Sequence, residues 1–171
     1  MNNKPLTLAV DMYGCPNRCL HCWLSHMPNR TMEPDADRWI VDQFKPYFDH
    51  IEFFSWLREP DFCPDYRSRW EQDKMLSVNT VPPRFELASF WRLVRDPDYV
   101  SFLKDVGVGC VQLTFFGMEE TTDSYVGRKG AFQELLKATE TLVTHEISPR
   151  WQTFINEENK VKSDEDIETA F

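Results

Sequence analysis

Several features that would assign the chain to other classes of protein are missing from its 171 residues. No apolar run approaches the ~20 residues that a membrane-spanning helix needs. The opening stretch, MNNKPLTLAVDM, has too short an apolar core for a secretory signal. We therefore expect a cytoplasmic protein that has no membrane partner.

Positive charge is also scarce. Lys and Arg total 19 against 28 Asp and Glu, which gives a formal net charge of -9, and no local run of basic residues offsets it. A field of this sign repels phosphate backbones, so we expect no nucleic acid as a dedicated partner. The 42% of hydrophobic and 14% of aromatic residues are typical of one folded globular domain.

The cysteines do not form a set that could pair. There are five, an odd number. Cys15, Cys19 and Cys22 are crowded together, whereas Cys63 and Cys110 are isolated in sequence. This distribution argues against a disulfide framework and favours a reduced compartment with metal-binding or catalytic thiols. A closed structural zinc site normally takes its four ligands as two pairs, and no second CxxC or HxxxH follows the first group.

What the sequence does contain is a regular alternation of strand and helix patterns. The first helix carries Trp39, Ile40 and Phe44 at a spacing that predicts one apolar face, with Asp35 as its cap. The alternation predicts parallel strands, right-handed crossovers and helices that cover the sheet. We predict strands over 6–11, 51–56, 84–90, 110–116 and 149–156, and helices over 35–48, 65–74, 97–106 and 131–145.

The chain stops soon after a further helix signal. Ser163 and Asp166 form a candidate capping box, yet the sequence ends at Phe171. We therefore expect a longer parent protein, truncated after the fifth strand.

The stretch CPNRCLHCW, residues 15–23, follows the first predicted strand and holds three thiols in a loop. Thiolates are soft ligands that suit iron-sulfur clusters, zinc and copper(I), and iron-sulfur clusters are usually anchored by closely spaced cysteines. Three thiolates can hold three irons of a four-iron cubane and leave the fourth iron open to a ligand. The residues also allow a zinc site, with His21 beside the thiols, or merely buried cysteines.

The spacing CxxxCxxC after a first strand resembles the signature of the radical S-adenosylmethionine (SAM) enzymes. The resemblance implies a four-iron four-sulfur cluster on Cys15, Cys19 and Cys22, with the fourth iron chelated by the amino and carboxylate groups of SAM. It implies reductive cleavage of SAM to a 5'-deoxyadenosyl radical, which abstracts hydrogen from a substrate. The implied partners are an electron donor such as flavodoxin or ferredoxin and an unidentified substrate, either a peptide or a small molecule.

The resemblance runs from residue 6 to about residue 159. It implies a partial (β/α)6 barrel, so that residues 1–171 form a radical SAM core domain. It also nominates residues that contact SAM. WLREP, residues 56–60, is similar to a GGEP-like motif without its glycines, and in VQLTFFG Phe116 replaces a common acidic residue. The nominated residues are His21 beside SAM, Glu59 at its amino group, Thr114 at its carboxylate or ribose, Arg128 gripping its carboxylate through a bidentate contact, and Asn156 at the ribose.

For most of these positions a structural role is also open. The alternatives are a solvated loop histidine at His21, an exposed carboxylate paired with Arg58 at Glu59, a solvated surface arginine at Arg128, and a turn or cap at Asn156.

Three functions are compatible with the sequence. The first is a radical SAM enzyme or its catalytic core. The second is a degenerate relative that keeps the fold as a binding or interaction module without catalysis. The third is a zinc-binding protein that uses the same thiols.

Overall fold

The computed structural model describes residues 5–22, 32–57, 59, 61–80 and 88–155. The chain divides into two compact units. The first comprises Met1–Cys15 and Met27–Arg84, and the second comprises Pro16–His26 and Phe85–Phe171. The prediction of a single core domain over residues 1–171 stays a prediction.

The first unit is built on two parallel strands. Its elements are β1 (Leu6–Tyr13), α1 (Pro34–Phe44), β2 (Ile51–Leu57) and α2 (Tyr66–Leu76). Leu6 pairs with Ile51 and the ladder continues until its register shifts between Asp11 and Tyr13. Four buried side chains, which the apolar residues of β1 help to enclose, form the core: Val41, Ile51, Phe53 and Leu76.

The second unit contains the other parallel pair. Its elements are α3 (Phe90–Arg95), α4 (Pro97–Asp105), β3 (Cys110–Phe115), α5 (Glu119–Val126), α6 (Ala131–Thr144) and β4 (Ser148–Thr153). β3 and β4 run in unbroken register from Cys110 opposite Ser148 to Phe115 opposite Thr153. Helix α6 packs on this pair, and its core includes the buried side chains of Leu103, Val111, Leu113, Leu135 and Leu142.

Both pairs confirm the predicted α/β fold with parallel strands. Each described sheet has two strands. Four of the predicted strands and all four predicted helices are present within the described ranges, with small changes at their ends. No helix in the described part of the chain combines the length and apolarity needed to span a membrane.

Three details of the prediction are wrong. The strand predicted over 84–90 cannot extend to residue 90, because Phe90 begins α3. Ser89 caps this helix by accepting a hydrogen bond from the Arg92 backbone N–H (3.2 Å). Residues 84–87 lie outside the described residues. Helix α1 is capped at Glu33 with Pro34 at its first position, not at Asp35. The strand predicted to end at 156 ends at Thr153.

The buried face of α1 also differs from the prediction. Trp39 is 64% exposed, whereas Asp37 is fully buried and Val41 lies in the core. Asp37 accepts a hydrogen bond from Gln72 Nε2 (2.7 Å), and the Arg69 guanidinium lies 3.7 Å from the same carboxylate oxygen, Oδ2. Because polar residues of α2 bind the Asp37 carboxylate, Asp37 is buried at a position where the apolar periodicity of α1 predicts no buried residue.

Burial raises the pKa of Asp37 above its ordinary value, although the charge of Arg69 and the hydrogen bond from Gln72 act in the opposite direction. The second oxygen, Oδ1, is buried without a hydrogen-bond partner among the described residues. An ionised Asp37 is thus incompletely compensated in the folded state.

We predict that Asp37→Asn changes the pH dependence of stability. Because the folded protein binds a proton at Asp37 more tightly than the unfolded chain, this residue's contribution to the free energy of unfolding falls as pH rises from about 4 through the higher folded pKa. The asparagine variant lacks that fall, so its free energy of unfolding increases relative to that of wild type as pH rises towards neutral. Urea unfolding at a series of pH values measures it, with the exposed Asp35→Asn as control for charge alone. A wild-type minus variant difference that is constant with pH would contradict the prediction.

Candidate functional site

The cysteine loop, residues 15–22, is tied by its backbone to the end of α5. The N–H of Arg18 donates to the carbonyl of Val126 and the N–H of Leu20 to the carbonyl of Tyr125, both at 2.8 Å. These carbonyls belong to the last turn of the helix, where they have no partner within the helix. Inside the loop, the Cys22 N–H donates to the Cys19 carbonyl (3.0 Å). The end of α5 thus determines the path of the loop.

Gly127 makes this close approach possible. It ends α5 in the left-handed region with φ +67°, and a Cβ built on it would lie 2.8 Å from the Arg18 carbonyl oxygen. Any residue with a side chain would be strained there and would also push the loop away.

The three loop thiols are partly exposed, and none of them forms a disulfide. Cys19 packs against a buried cluster of Phe116, Val126 and Ala131. Cys15 ends the first segment of the first unit, whereas Cys19 and Cys22 belong to the second. Three soft donors, none of them in a disulfide, fit an iron-sulfur cluster by donor chemistry. Within the ranges that the structure describes, no three His, Cys, Asp or Glu side chains are grouped closely enough to hold a metal ion.

Aromatic rings meet the loop where β3 and β4 end. The His21 ring lies 4.9 Å from the Phe116 ring and 5.4 Å from the Phe154 ring, centroid to centroid. Phe116 is stacked with Tyr125 and with Phe154, at 5.3 and 5.4 Å between centroids. We call these four residues the aromatic cluster. Flat apolar surfaces at the carboxyl ends of parallel strands form a wall that can exclude water and pack against a planar ligand.

His21 therefore has ring contacts, although the residue as a whole is exposed. The alternative of a solvated loop histidine does not account for these ring contacts. The ring stands beside two strand ends, which is compatible with the predicted position next to SAM.

Thr122 fixes the turn that carries Phe116. Its hydroxyl is fully buried, accepts from the Phe116 N–H (3.2 Å) and donates to the Gly117 carbonyl (2.6 Å). The side chain thus satisfies two backbone groups between β3 and α5 that no ladder or helix would satisfy.

We predict that Thr122→Val lowers the free energy of unfolding by about 2 kcal/mol, because two buried backbone groups lose their partner while the side-chain volume is kept. Denaturant titration followed by circular dichroism measures it. Thr144→Val is the matched control, since the Thr144 hydroxyl donates to the Glu140 carbonyl (2.8 Å) at an exposed position on α6. Equal stability losses in the two variants would contradict the role of Thr122.

Thr114 lies on the face of β3 that alternates with its buried residues. It pairs with Gln152 of β4, and on the same face Gln112 accepts a hydrogen bond from the Arg150 guanidinium (2.6 Å) and donates to Gln152. On the opposite face the rings of Phe115 and Trp151 pack against each other, and the Trp151 indole N–H donates to a threonine of α6. Thr114 is thus part of a polar row on the face of the sheet that points away from α6.

Arg128 is not a solvated surface arginine. Its Nε donates to Asn17 Oδ1 (3.0 Å), its Nη1 donates to Glu134 Oε2 (2.6 Å), and its guanidinium lies 5.5 Å from the centroid of the Phe90 ring. Nη2 is buried without a hydrogen-bond partner among the described residues. That nitrogen fits one further acceptor, such as a carboxylate oxygen of SAM. Two of the five guanidinium N–H groups are used by Asn17 and Glu134, so Nη1 and Nη2 keep donors for a contact of the predicted bidentate kind.

Glu59 belongs to the first unit and is only 6% exposed, so the alternative of an exposed carboxylate is wrong. It lies in a turn in which the Phe62 N–H donates to the Glu59 carbonyl (3.0 Å). Asp61 shapes this turn. It adopts φ +61°, and both of its carboxylate oxygens accept the Trp70 indole N–H, at 2.9 and 3.0 Å. Arg58 and Asn156 lie outside the described residues.

The sequence interpretation missed several residues that shape this region: Asn17, Asp61, Thr122, Tyr125, Gly127, Glu134 and Phe154. Only two left a signal. Gly127 follows a short helix pattern, as a helix-ending glycine does, and Asp61 directly follows the motif that nominated Glu59. Among the others, Asn17, Tyr125 and Phe154 act through contacts with residues that are distant in sequence.

Comparison with known proteins bears on the whole arrangement. The family model described as the radical SAM superfamily matches residues 10–156. Among curated proteins, no sequence matches the chain.

The fold is similar to solved structures of one protein in several states. A structure described as native anSMEcpe with bound AdoMet and Cp18Cys peptide has a TM-score of 0.63 and 16% identity and covers 98% of this chain. Native anSMEcpe with bound AdoMet and Kp18Cys peptide gives 0.66, 15% and 98%. Native anSMEcpe with bound AdoMet gives 0.66, 14% and 98%. In each case the chain spans 48% of the other protein, about half its length.

Proposed function

The chain belongs to the radical SAM superfamily, and from that premise we propose that it is a radical SAM enzyme or the catalytic core of one. The proposed activity is reductive cleavage of SAM on a four-iron four-sulfur cluster, giving a 5'-deoxyadenosyl radical that abstracts hydrogen from an unidentified substrate. The observation that carries the proposal is the CxxxCxxC loop, bound to the end of α5 and lying against aromatic rings at the ends of β3 and β4.

The corresponding fold proposal is a partial (β/α)6 barrel of the radical SAM type. The parallel pairing of β1 with β2 and of β3 with β4 supports it, as does the similarity to anSMEcpe over 98% of the chain.

The proposed roles come from the resemblance to the family's motifs. Cys15, Cys19 and Cys22 would hold the cluster, which supplies the electron for SAM cleavage when it is bound. The rings around His21 would pack beside SAM and keep water from the loop. Nη2 of Arg128 would donate to a SAM carboxylate oxygen.

Further contacts with SAM are proposed for residues at strand ends. Glu59, held in a buried turn, would accept from the SAM amino group, and the Thr114 hydroxyl would reach its carboxylate or ribose. Asn156 is proposed for the ribose on its position in sequence alone.

The partners are proposals as well. An electron donor such as flavodoxin or ferredoxin would reduce the cluster in a cytoplasmic setting. Two of the similar structures hold AdoMet together with a peptide, which favours a peptide over a small metabolite as the first substrate to test.

Anaerobic reconstitution with iron and sulfide tests the function. We expect the thiolate-to-iron charge-transfer absorbance of an iron-sulfur protein and, after reduction with SAM present, 5'-deoxyadenosine detected by mass spectrometry. A cluster without SAM binding or product would instead identify a binding module that has lost catalysis. Tightly bound zinc with no iron uptake would identify a zinc protein and overturn the proposal.

A further inference from the structure

We propose that Arg128 is a positioning residue that clamps the cysteine loop to α6 through a chain of side chains, Asn17–Arg128–Glu134. We call these three residues the loop clamp. The inference rests on the proposed function only in naming an iron-sulfur cluster as the group that the loop presents to SAM.

The first end of the loop clamp lies inside the cysteine spacer. Asn17 stands two residues after Cys15 and two before Cys19, and its side-chain oxygen accepts from Arg128 Nε at 3.0 Å. The next residue, Arg18, is held through its backbone N–H by Val126 (2.8 Å). The spacer between the first two thiols is therefore fixed by one side-chain and one backbone bond, which both lead to the segment that ends α5.

The second end of the loop clamp is anchored in α6. Glu134 lies in the first turn of that helix and accepts from Arg128 through Oε2 and from Arg95 through Oε1. Burial alone would raise the pKa of Glu134, but the hydrogen bonds and charges of Arg95 and Arg128 outweigh it and lower that pKa. The carboxylate therefore stays charged and keeps both guanidinium groups in place near neutral pH.

Limited exposure makes these contacts stronger than ordinary surface ion pairs. The Arg128 and Glu134 side chains are 19% and 16% exposed, and the Phe90 ring lies against the Arg128 guanidinium. A hydrogen bond that involves a charged group contributes more than a neutral one when solvent is largely excluded. Breaking the clamp would remove the hydrogen bond that ties the Asn17 side chain, 111 residues away in sequence, to Arg128.

Arg95, which also binds Glu134, adds a charge that the three residues of the clamp do not balance. Two guanidinium groups, Arg95 and Arg128, share the single carboxylate of Glu134. One positive charge is left over next to a loop that would carry three thiolates. Because net charge and hydrogen bonding near an iron-sulfur cluster set its potential, this excess would favour the reduced cluster.

The loop itself can be tested without any metal. In the metal-free protein, Asn17→Ala and Arg128→Gln should increase the alkylation rate of Cys19 by iodoacetamide about tenfold, since each removes a charge-assisted hydrogen bond that opposes local opening. Lys104→Gln is the matched control, because the Lys104–Glu146 pair (2.7 Å) is an exposed ion pair elsewhere in the same unit. Alkylation of both clamp variants at the wild-type rate would overturn the proposal. Circular dichroism establishes that each variant is folded, and if Arg128→Gln fails to fold, Asn17→Ala decides alone.

Reconstituted protein separates the two functions of the clamp. Arg128→Gln should lower the midpoint potential of the cluster, since it removes the excess positive charge, whereas Arg128→Lys should keep the potential and still lose iron to a chelator about tenfold faster than wild type. A purely structural role would not distinguish these two variants by potential, and identical potentials would contradict the electrostatic part. If wild-type protein takes up no iron, the proposed function fails, and the alkylation result still decides on the clamp.

Discussion

Replacing any one of Cys15, Cys19 or Cys22 by alanine should abolish iron loading. A four-iron cluster that has three protein ligands and one open iron loses one of its three thiolate-to-iron bonds. We expect iron and sulfide contents near background after anaerobic reconstitution of each variant, against about four of each per chain in wild type. Full loading of the Cys19→Ala variant would contradict the ligand assignment.

The two other cysteines provide the controls. Cys110 opens β3 and is partly exposed, so Cys110→Ala should load iron as wild type does. Cys63 is fully buried, and Cys63→Ala should also load iron, although the lost sulfur atom lowers its stability slightly. Iron analysis of these two variants distinguishes loss of a ligand from general damage to the fold. The prediction would fail if Cys110→Ala and Cys19→Ala lost iron to the same extent.

Local pattern was enough to predict the longer elements. Helix α6 repeats apolar residues at Phe132, Leu135 and Leu142, and those side chains are buried in the structure. The parallel strand pairs follow from the alternation of strands with helices, because parallel neighbours need a crossover. Helices α3 and α5 were missed since six and eight residues carry too little periodicity to stand out.

The contacts around the cysteine loop could not be predicted in this way. Asn17 and Arg128 are 111 residues apart, and only the folded chain brings them together. Phe116 illustrates the limit from the other side. As a replacement for a common acidic residue it weakened the expected polar contacts, yet in the structure its ring stacks with Tyr125 and Phe154 and contacts the His21 ring. A motif can show that one residue departs from the family's pattern, but it cannot show which rings that residue contacts in the fold.

Gly127→Ala should both destabilise the protein and impair iron loading. An alanine at φ +67° has a left-handed backbone that costs ~1–2 kcal/mol. Its Cβ would also lie 2.8 Å from the Arg18 carbonyl oxygen, a backbone atom that can yield only if the cysteine loop moves. Overpacking of this kind adds ~1–3 kcal/mol. We expect the free energy of unfolding to fall by the sum, ~2–5 kcal/mol.

Gly107→Ala carries only the first of these terms, the backbone strain. Gly107 also has a left-handed backbone, with φ +86°, but a Cβ there meets no atom within 4 Å. Both variants share the backbone strain, so the difference between their free energies of unfolding measures the collision with the loop. Only Gly127→Ala should accelerate alkylation of Cys19 and reduce iron uptake. If the two alanine variants lose the same stability and load the same amount of iron, contact between α5 and the loop has no part in presenting the thiols. The backbone hydrogen bonds from Arg18 and Leu20 would then serve only to satisfy the last carbonyls of α5.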